Sequence, residues 1–203
     1  TVHVIRHGEV ENPNKILYGR QPGWRLSNRG QEMAKVIGEW SKGIDLGALH
    51  VSPLQRAQET AAPISAAHNI AITADERLIE AANIFEGKSF EPGSGVLKHP
   101  ASWRHLYNPF KPSWGEPYEE QINRMLAAVF AARDAAKGKD AIVVSHQLPI
   151  WSLRSAIEGR SLLHDPRKRI CTLASVTSVQ FDDEGMISGL TYNEPAGHLL
   201  PEK

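Results

Sequence analysis

Hydrophobic positions along the chain fall into short apolar runs and into stretches with helical spacing, in alternation. The short runs predict strands at residues 1–6, 46–52, 70–73, 140–145, 174–181 and 186–192. Helical spacing predicts helices over residues 28–42, 53–67, 116–137 and 149–158. Strands that alternate with helices are typical of an α/β fold. We therefore expect a three-layer sandwich in which helices flank a mostly parallel central sheet.

Residues 83–117 break this alternation, because glycines and prolines there are interspersed with aromatic residues. This composition predicts an irregular segment with one helical turn near residues 101–107. The chain shows no internal repeat and no linker-like stretch. Residues 1–203 are therefore expected to form a single domain, with residues 83–117 as an insertion that covers the functional site.

Composition narrows the possible partners. The 23 basic and 23 acidic residues give a formal net charge of zero, which gives no general attraction to nucleic acid or to an anionic membrane. No apolar run is long enough to span a bilayer. The one cysteine, Cys171, excludes an intrachain disulfide, and no signal-like stretch opens the chain. A cytoplasmic protein is the expectation, and the sequence does not indicate an oligomeric state.

Four basic side chains follow predicted strands, at the sheet edge where α/β proteins bind ligands. Arg6 and His7 end the first strand, Arg56 follows the second, and His146 follows the strand at residues 140–145. A neutral imidazole can accept a phosphoryl group when its other nitrogen is fixed by a hydrogen bond. Planar guanidinium groups match phosphoryl oxygens with paired hydrogen bonds. Together these residues could hold a transferring phosphoryl group without a metal.

Three sequence blocks resemble those of the histidine phosphatase superfamily, the phosphoglycerate-mutase-like group. They are Arg6-His7-Gly8-Glu9, residues 52–61, which include Arg56, and residues 143–146, which end at His146. The blocks have the order and spacing of the family. The resemblance implies that His7 is the nucleophile and that Arg6, Arg56 and His146 bind the phosphoryl oxygens.

The resemblance also matches Glu80 to the proton donor of the family. Its apolar neighbours Ile79 and Ala81 are expected to raise the pKa of this carboxyl, so that it can act as a general acid. Glu76 and Glu86 remain alternatives for this role.

The chain departs from the family pattern at several positions. Pro13 stands where the family often has an asparagine, so Asn12 or Asn14 is the candidate phosphate ligand. Gln147 replaces the usual glycine after the second histidine, and its amide either contacts substrate or caps the following helix. Arg20 could reach the site, but it is interpreted as a structural arginine at the surface.

These observations predict a metal-independent phosphomonoester hydrolase that needs no cofactor and acts on a small phosphorylated substrate through a covalent phosphohistidine. A cofactor-dependent phosphoglycerate mutase is the nearest alternative. A catalytically silent protein that binds a phosphorylated ligand is a further alternative. The residue set argues against it, because such a protein has no need for both a nucleophile and an acid. A metallohydrolase using His7 and His146 ranks last, because the sequence shows no carboxylate cluster and no metal-site spacing among its other histidines.

Overall fold

The computed structural model describes residues 1–88, 115–162 and 169–200 of the chain. The strands are β1 (Val2–Arg6), β2 (Leu46–Val51), β3 (Thr73–Ala74), β4 (Asp140–Ser145), β5 (Val176–Phe181) and β6 (Ile187–Asn193). The α-helices are α1 (Asn28–Ser41), α2 (Gln55–His68), α3 (Tyr118–Ala135) and α4 (Gln147–Ile157), and short 3-10 helices span Glu76–Leu78 and Gly197–Leu199. The predicted insertion over residues 83–117 lies mostly outside the described residues.

One six-stranded sheet runs through the molecule in the order β3-β2-β4-β1-β5-β6. Strands β3, β2, β4 and β1 run parallel to one another, whereas β5 is antiparallel to β1 and β6 is antiparallel to β5. Parallel strands have all their carboxyl ends at one edge of the sheet, so the segments after β1, β2 and β4 leave the sheet side by side.

Helices cover both faces of the sheet and form two hydrophobic cores, which confirms the predicted three-layer sandwich. On one face, α1 and α2 pack their apolar residues against Ile5, Leu49 and Val144. On the other face, α3 and α4 pack against Val4 and Val143. Neighbouring strand residues point to opposite faces, so the near-continuous apolar runs of β1 and β4 supply both cores.

The observed element boundaries correct several predictions. Helix α2 begins at Gln55 rather than at residue 53, and α4 begins at Gln147 rather than at residue 149. The final strands begin at Val176 and Ile187, each one or two residues later than predicted. The strand predicted at residues 70–73 is only Thr73–Ala74, because Asn69 ends α2 in the left-handed conformation and the chain then needs several residues to return to the sheet.

Two glycines bring helix α1 against the end of β1. A Cβ atom on Gly8 would lie 2.8 Å from the carbonyl oxygen of Gly30, and one on Gly30 would lie 2.1 Å from the carbonyl oxygen of Glu9. Ser27 caps α1, since its hydroxyl accepts a hydrogen bond from the Gly30 amide. No helix within residues 1–88, 115–162 or 169–200 is long and apolar enough to cross a membrane.

Candidate active site

Three neighbouring parallel strands bring His7, Ser52 and His146 to one edge of the sheet. Arg6 of β1 is paired with Ser145 of β4, and Val51 of β2 is paired with Val144 of the same strand. His7, Ser52 and His146 come directly after these pairs, and all three are buried. The ring centroids of the two histidines are 5.1 Å apart. The structure therefore brings together the two histidines that the sequence singled out.

The hydrogen bond of His7 fixes its tautomer. Its Nδ1 lies 2.7 Å from the carbonyl oxygen of Gly8, and since a carbonyl only accepts, Nδ1 carries the proton. Burial, reinforced by the positive charges of Arg56 and Arg6, holds the pKa of His7 well below its ordinary value. The ring is therefore neutral, with its lone pair on Nε2. This is the state that a nucleophilic imidazole requires.

His146 is held by a contact that the sequence did not predict. Its Nε2 lies 2.7 Å from the hydroxyl oxygen of Ser52. Burial, together with the charges of His7 and Arg56, keeps the pKa of His146 well below its ordinary value. If the Ser52 hydroxyl donates to Nε2, the proton of the neutral ring is on Nδ1. That nitrogen is buried and has no hydrogen-bond partner among the described residues.

Arg6 and Arg56 each use one guanidinium nitrogen to bind the backbone. Arg6 donates through Nη1 to the Cys171 carbonyl at 2.7 Å, and Arg56 donates through Nη2 to the Gly19 carbonyl at 2.7 Å. In each of them Nε is buried without a partner in the part of the chain that the structure describes. A buried donor left unpaired is costly. These two Nε–H groups are donors suited to an anion, and Nδ1 of His146 is a third when it carries the ring proton.

Glu80 follows the short 3-10 helix at Glu76–Leu78 and is partly buried. Burial raises the pKa of its carboxyl, as expected from the sequence. The amide of Ala81, which donates to Oε1 at 2.8 Å, and the nearby charges of Arg56 and Arg6 counter part of that rise. The carboxyl thus combines a raised pKa with a position beside the two phosphate-binding candidates.

The alternatives to Glu80 lie in different surroundings. Glu76 is exposed at the start of its 3-10 helix. Glu86 packs against Gly19, where a Cβ would meet its carboxyl group, and its Oε1 accepts from the Asn83 amide at 3.3 Å. The negative charge of Glu86 also raises the pKa of Arg56, so Glu86 lies near the site.

The secondary phosphate-ligand candidates have other contacts in the structure. The side chain of Asn12 closes its own loop, donating to the Ile16 carbonyl and accepting from the Ile16 amide. Asn14 is exposed. Gln147 donates to the Cys171 carbonyl at 3.3 Å, the same oxygen that Arg6 binds. The amide of Gln147 therefore helps to fix the site, and the roles of these three residues toward substrate stay predictions.

Arg20 was expected to be structural, and its contacts agree with that interpretation. Its Nε donates to the main-chain carbonyl of Glu80 at 2.7 Å, and its Nη2 donates to Glu116 at 2.9 Å. Arg20 therefore contacts the segment that carries Glu80.

Two residues near the site were missed at the sequence level. The guanidinium carbon of Arg56 lies 4.7 Å from the ring centroid of Tyr18, a cation–π contact that orients the arginine. Arg169 lies over the ring of Trp151 and close enough to Glu80 and Arg6 for each to shift its pKa. Burial is the largest effect on Arg169 and lowers that pKa. Neither residue follows a predicted strand, so no positional signal marked them.

The described residues contain no group of three or more histidine, cysteine, aspartate or glutamate side chains arranged to hold a metal ion. Arg6 and Arg56 carry positive charge close to His7 at this edge of the sheet.

The chain is similar in sequence to known proteins along nearly its whole length. An uncharacterized protein of Mycobacterium tuberculosis is 50% identical over 195 residues, which is 96% of each chain. A probable phosphoglycerate mutase, GpmB, of Salmonella choleraesuis is 25% identical, covering 98% of this chain and 93% of the relative.

Solved structures have the same fold. YhfR of Bacillus stearothermophilus superposes with a TM-score of 0.77 at 27% identity, over 92% of this chain and 93% of that one. Phosphoserine phosphatase of Entamoeba histolytica, in complex with 3-phosphoglyceric acid, superposes with a TM-score of 0.76 at 20% identity, over 98% of each chain. The family model of the histidine phosphatase superfamily (branch 1) matches residues 2–194. The chain therefore belongs to the histidine phosphatase superfamily.

Proposed function

We propose that the protein is a phosphomonoester hydrolase that works through a covalent phosphohistidine on Nε2 of His7. The observation that carries the proposal is the Nδ1 hydrogen bond to the Gly8 carbonyl, which leaves a buried, neutral ring with its lone pair on Nε2. A neutral imidazole fixed in this way is an activated nucleophile.

In the first step, Nε2 of His7 forms a bond to phosphorus while the bond from phosphorus to the leaving oxygen breaks. Glu80 gives its proton to that oxygen, so the product leaves as an alcohol. In the second step, the Glu80 carboxylate takes a proton from water, which attacks phosphorus. The bond from phosphorus to Nε2 then breaks, inorganic phosphate is released and neutral His7 is restored. The raised pKa of Glu80 suits both roles.

The donors around His7 support charge stabilisation without a metal. Nε of Arg6, Nε of Arg56 and Nδ1 of His146 are buried and unpaired within the described residues. A transferring phosphoryl group spreads charge over three oxygens, and the catalytic effect comes mostly from positioning and charge. We propose that these three donors bind those oxygens, so that no divalent ion is required.

The nearest alternative is a phosphoglycerate mutase. The Salmonella relative is named a probable phosphoglycerate mutase. A mutase must keep water from its phosphohistidine and return the phosphoryl group to a bound acceptor. The sequence after Glu80 has a loose composition with Gly87, Pro92 and Gly93, which favours access of water. A silent phospho-ligand binder would have no use for a neutral nucleophile and a carboxyl of raised pKa together.

The substrate is proposed to be a small phosphorylated metabolite. The phosphoserine phosphatase with the same fold was solved with 3-phosphoglyceric acid, which is a small phosphorylated acid. Arg169, near Arg6 and Glu80, supplies a further positive charge at this edge of the sheet.

Rapid-quench trapping tests the proposal. The protein is mixed with a phosphomonoester labelled in its phosphoryl group and quenched within the first turnover. We expect a labelled adduct that is stable in alkali and labile in acid, located at His7 by peptide mapping. A label on serine, or turnover without any adduct, would contradict the covalent mechanism.

A further inference from the structure

Glu116, two residues before helix α3, binds two arginines from different parts of the chain. Arg20 donates to Oε2 at 2.9 Å, while Arg124 donates to Oε1 at 2.7 Å and to Oε2 at 3.0 Å. The Glu116 side chain is only 11% exposed, and that of Arg124 is 16% exposed. Ion pairs shielded from solvent in this way hold their geometry better than pairs at the surface. We call Arg20, Glu116 and Arg124 the Glu116 clamp.

The two arginines of the clamp also bind the main chain that leads to Glu80. Arg124 donates through Nη1 to the carbonyl oxygens of Arg77, at 2.6 Å, and Ile79, at 2.7 Å. Arg20 donates through Nε to the carbonyl oxygen of Glu80, at 2.7 Å. Each arginine thus joins the carboxylate of Glu116 to the backbone of this segment.

A fourth contact completes the set. The carbonyl of Leu78 accepts from the buried hydroxyl of Ser145, at 2.7 Å. Four successive carbonyls, from residue 77 to residue 80, therefore each accept a hydrogen bond from a side chain. Ser145 directly precedes His146, so the same segment is tied to the strand that carries the second site histidine.

The carboxyl of Glu80 depends on this backbone for its position. Its Oε1 accepts from the amide of Ala81, the next residue, so a movement of the local main chain moves the carboxyl with it. We propose that Glu116 is a positioning residue, which holds Arg20 and Arg124 against the backbone of residues 77–80 and so places the Glu80 carboxyl for proton transfer. This inference rests on the proposed function, in which Glu80 is the general acid.

The test compares two substrates that differ in their need for an acid. Glu116→Gln replaces the carboxylate with a neutral amide. The negative charge is lost, and the NH₂ group is a donor that cannot accept a hydrogen bond from the arginine it faces. Displacing a reacting group by about 1 Å can cost about 100-fold in rate. We therefore expect kcat on an alkyl phosphomonoester to fall about 10- to 100-fold. On p-nitrophenyl phosphate, whose leaving group needs little protonation, kcat should fall less than about threefold.

Two comparisons separate positioning from a general loss of structure. Glu119→Gln changes an exposed glutamate at the start of α3 and should leave both substrates unaffected. In a Glu80→Gln background, adding Glu116→Gln should cause little further loss on the alkyl substrate, because both changes act on the same proton transfer. Additive losses, or equal losses on the two substrates from Glu116→Gln alone, would overturn the proposal.

Arg20→Gln serves as a second variant should Glu116→Gln fail to fold. The Arg20 side chain is 35% exposed, so its replacement disturbs less of the core, and it should give the same dependence on the leaving group. Hydrogen–deuterium exchange of the Ala81 amide, measured by NMR, should be faster in either variant than in Glu119→Gln. Unchanged exchange and unchanged selectivity in both would overturn the proposal.

These measurements also separate this proposal from the proposed function. If Glu80→Gln distinguishes the two substrates and Glu116→Gln does not, the positioning role fails while the mechanism stands. If Glu80→Gln itself loses activity equally on both substrates, the general-acid assignment fails, and the positioning role fails with it.

Discussion

The imidazole rings of His7 and His146 face each other with centroids 5.1 Å apart and a tilt of 57° between their planes. Both rings are buried, and a charge on His7 lowers the pKa of His146. Burial and the nearby arginine charges lower the pKa of both rings, and a proton on either ring further disfavours one on the other, so the pair stays neutral. The positive charge available to an anion therefore comes from Arg6 and Arg56, while one histidine is free to act as a nucleophile.

Removal of the nucleophile is the first prediction. His7→Ala should lower turnover of phosphomonoesters by about 10⁶-fold, the order of loss when a covalent nucleophile is deleted. The fold should persist, since a small neutral cavity is far less disruptive than an unpaired charge. Steady-state assays measure the loss, and circular dichroism with a thermal melt monitors the fold. Normal turnover in a folded variant would refute the assignment of His7.

The second prediction concerns pH. His7 must be neutral, and its pKa is held well below the ordinary value, so kcat/KM should persist below the usual titration range of histidine as pH falls. Glu80 must be protonated, and its pKa is raised, so activity should decline as pH rises through that raised value. The pH profile of kcat/KM on an alkyl phosphomonoester measures both limbs. The limb at higher pH should disappear in Glu80→Gln, and an activity loss centred on the ordinary histidine pKa would contradict the burial of His7.

A third prediction assigns the proton donor. Glu80→Gln should slow alkyl phosphates by about 10²- to 10⁴-fold, the usual contribution of general acid catalysis. Hydrolysis of p-nitrophenyl phosphate should be affected much less, because its leaving group is stable without a proton. Glu76→Gln, at an exposed position, is the matched control and should match the wild type on both substrates. Equal losses on the two substrates would direct attention to Glu86.

Metal removal provides a fourth prediction. With Arg6, Arg56 and His146 as donors to the phosphoryl oxygens, activity should survive exhaustive treatment with EDTA. The assay compares treated protein with protein to which zinc, magnesium or manganese is returned. Loss on chelation followed by recovery with one of these ions would favour a metallohydrolase.

The fifth prediction separates hydrolysis from mutase chemistry. Release of inorganic phosphate should match consumption of a phosphomonoester, with little exchange between 2- and 3-phosphoglycerate, because water is expected to reach the phosphohistidine. A coupled mutase assay and a phosphate assay on the same sample measure both. Efficient interconversion stimulated by 2,3-bisphosphoglycerate, without matching phosphate release, would establish the mutase alternative.

The fold was predictable because its signals are local. Buried strands such as β4 and amphipathic helices such as α1 have clear apolar patterns, and the predictions of the three-layer fold and of the family are both confirmed. Strand β3 was misplaced because only Thr73 and Ala74 pair with β2, and a pairing of two residues leaves almost no pattern in the sequence. Three of the four α-helix starts differ from the prediction by two residues, which is within the normal uncertainty of such boundaries.

The site was only partly predictable, for a related reason. His7 and His146 follow strands and stand in sequence blocks that resemble the family, so position and motif together marked them. Ser52 binds His146 across 94 residues of sequence, and Arg20 binds Glu116 across 96, so no local pattern reveals either contact. Arg169 follows no strand, and only the folded chain brings it near Arg6 and Glu80. The catalytic roles assigned to these residues stay predictions.

The contact between Gly8 and Gly30 gives the Arg-His-Gly triplet two kinds of information. Its first two residues are there for chemistry in the proposed mechanism, in which Arg6 supplies charge and His7 is the nucleophile. Its third residue is required by packing, since a side chain on Gly8 would collide with the first turn of α1. A chain could therefore keep the triplet for packing after losing activity, or relax the glycine if α1 moved away while the chemistry survived. In a motif search, the glycine should therefore count as evidence for the fold, and the arginine and histidine as evidence for catalysis.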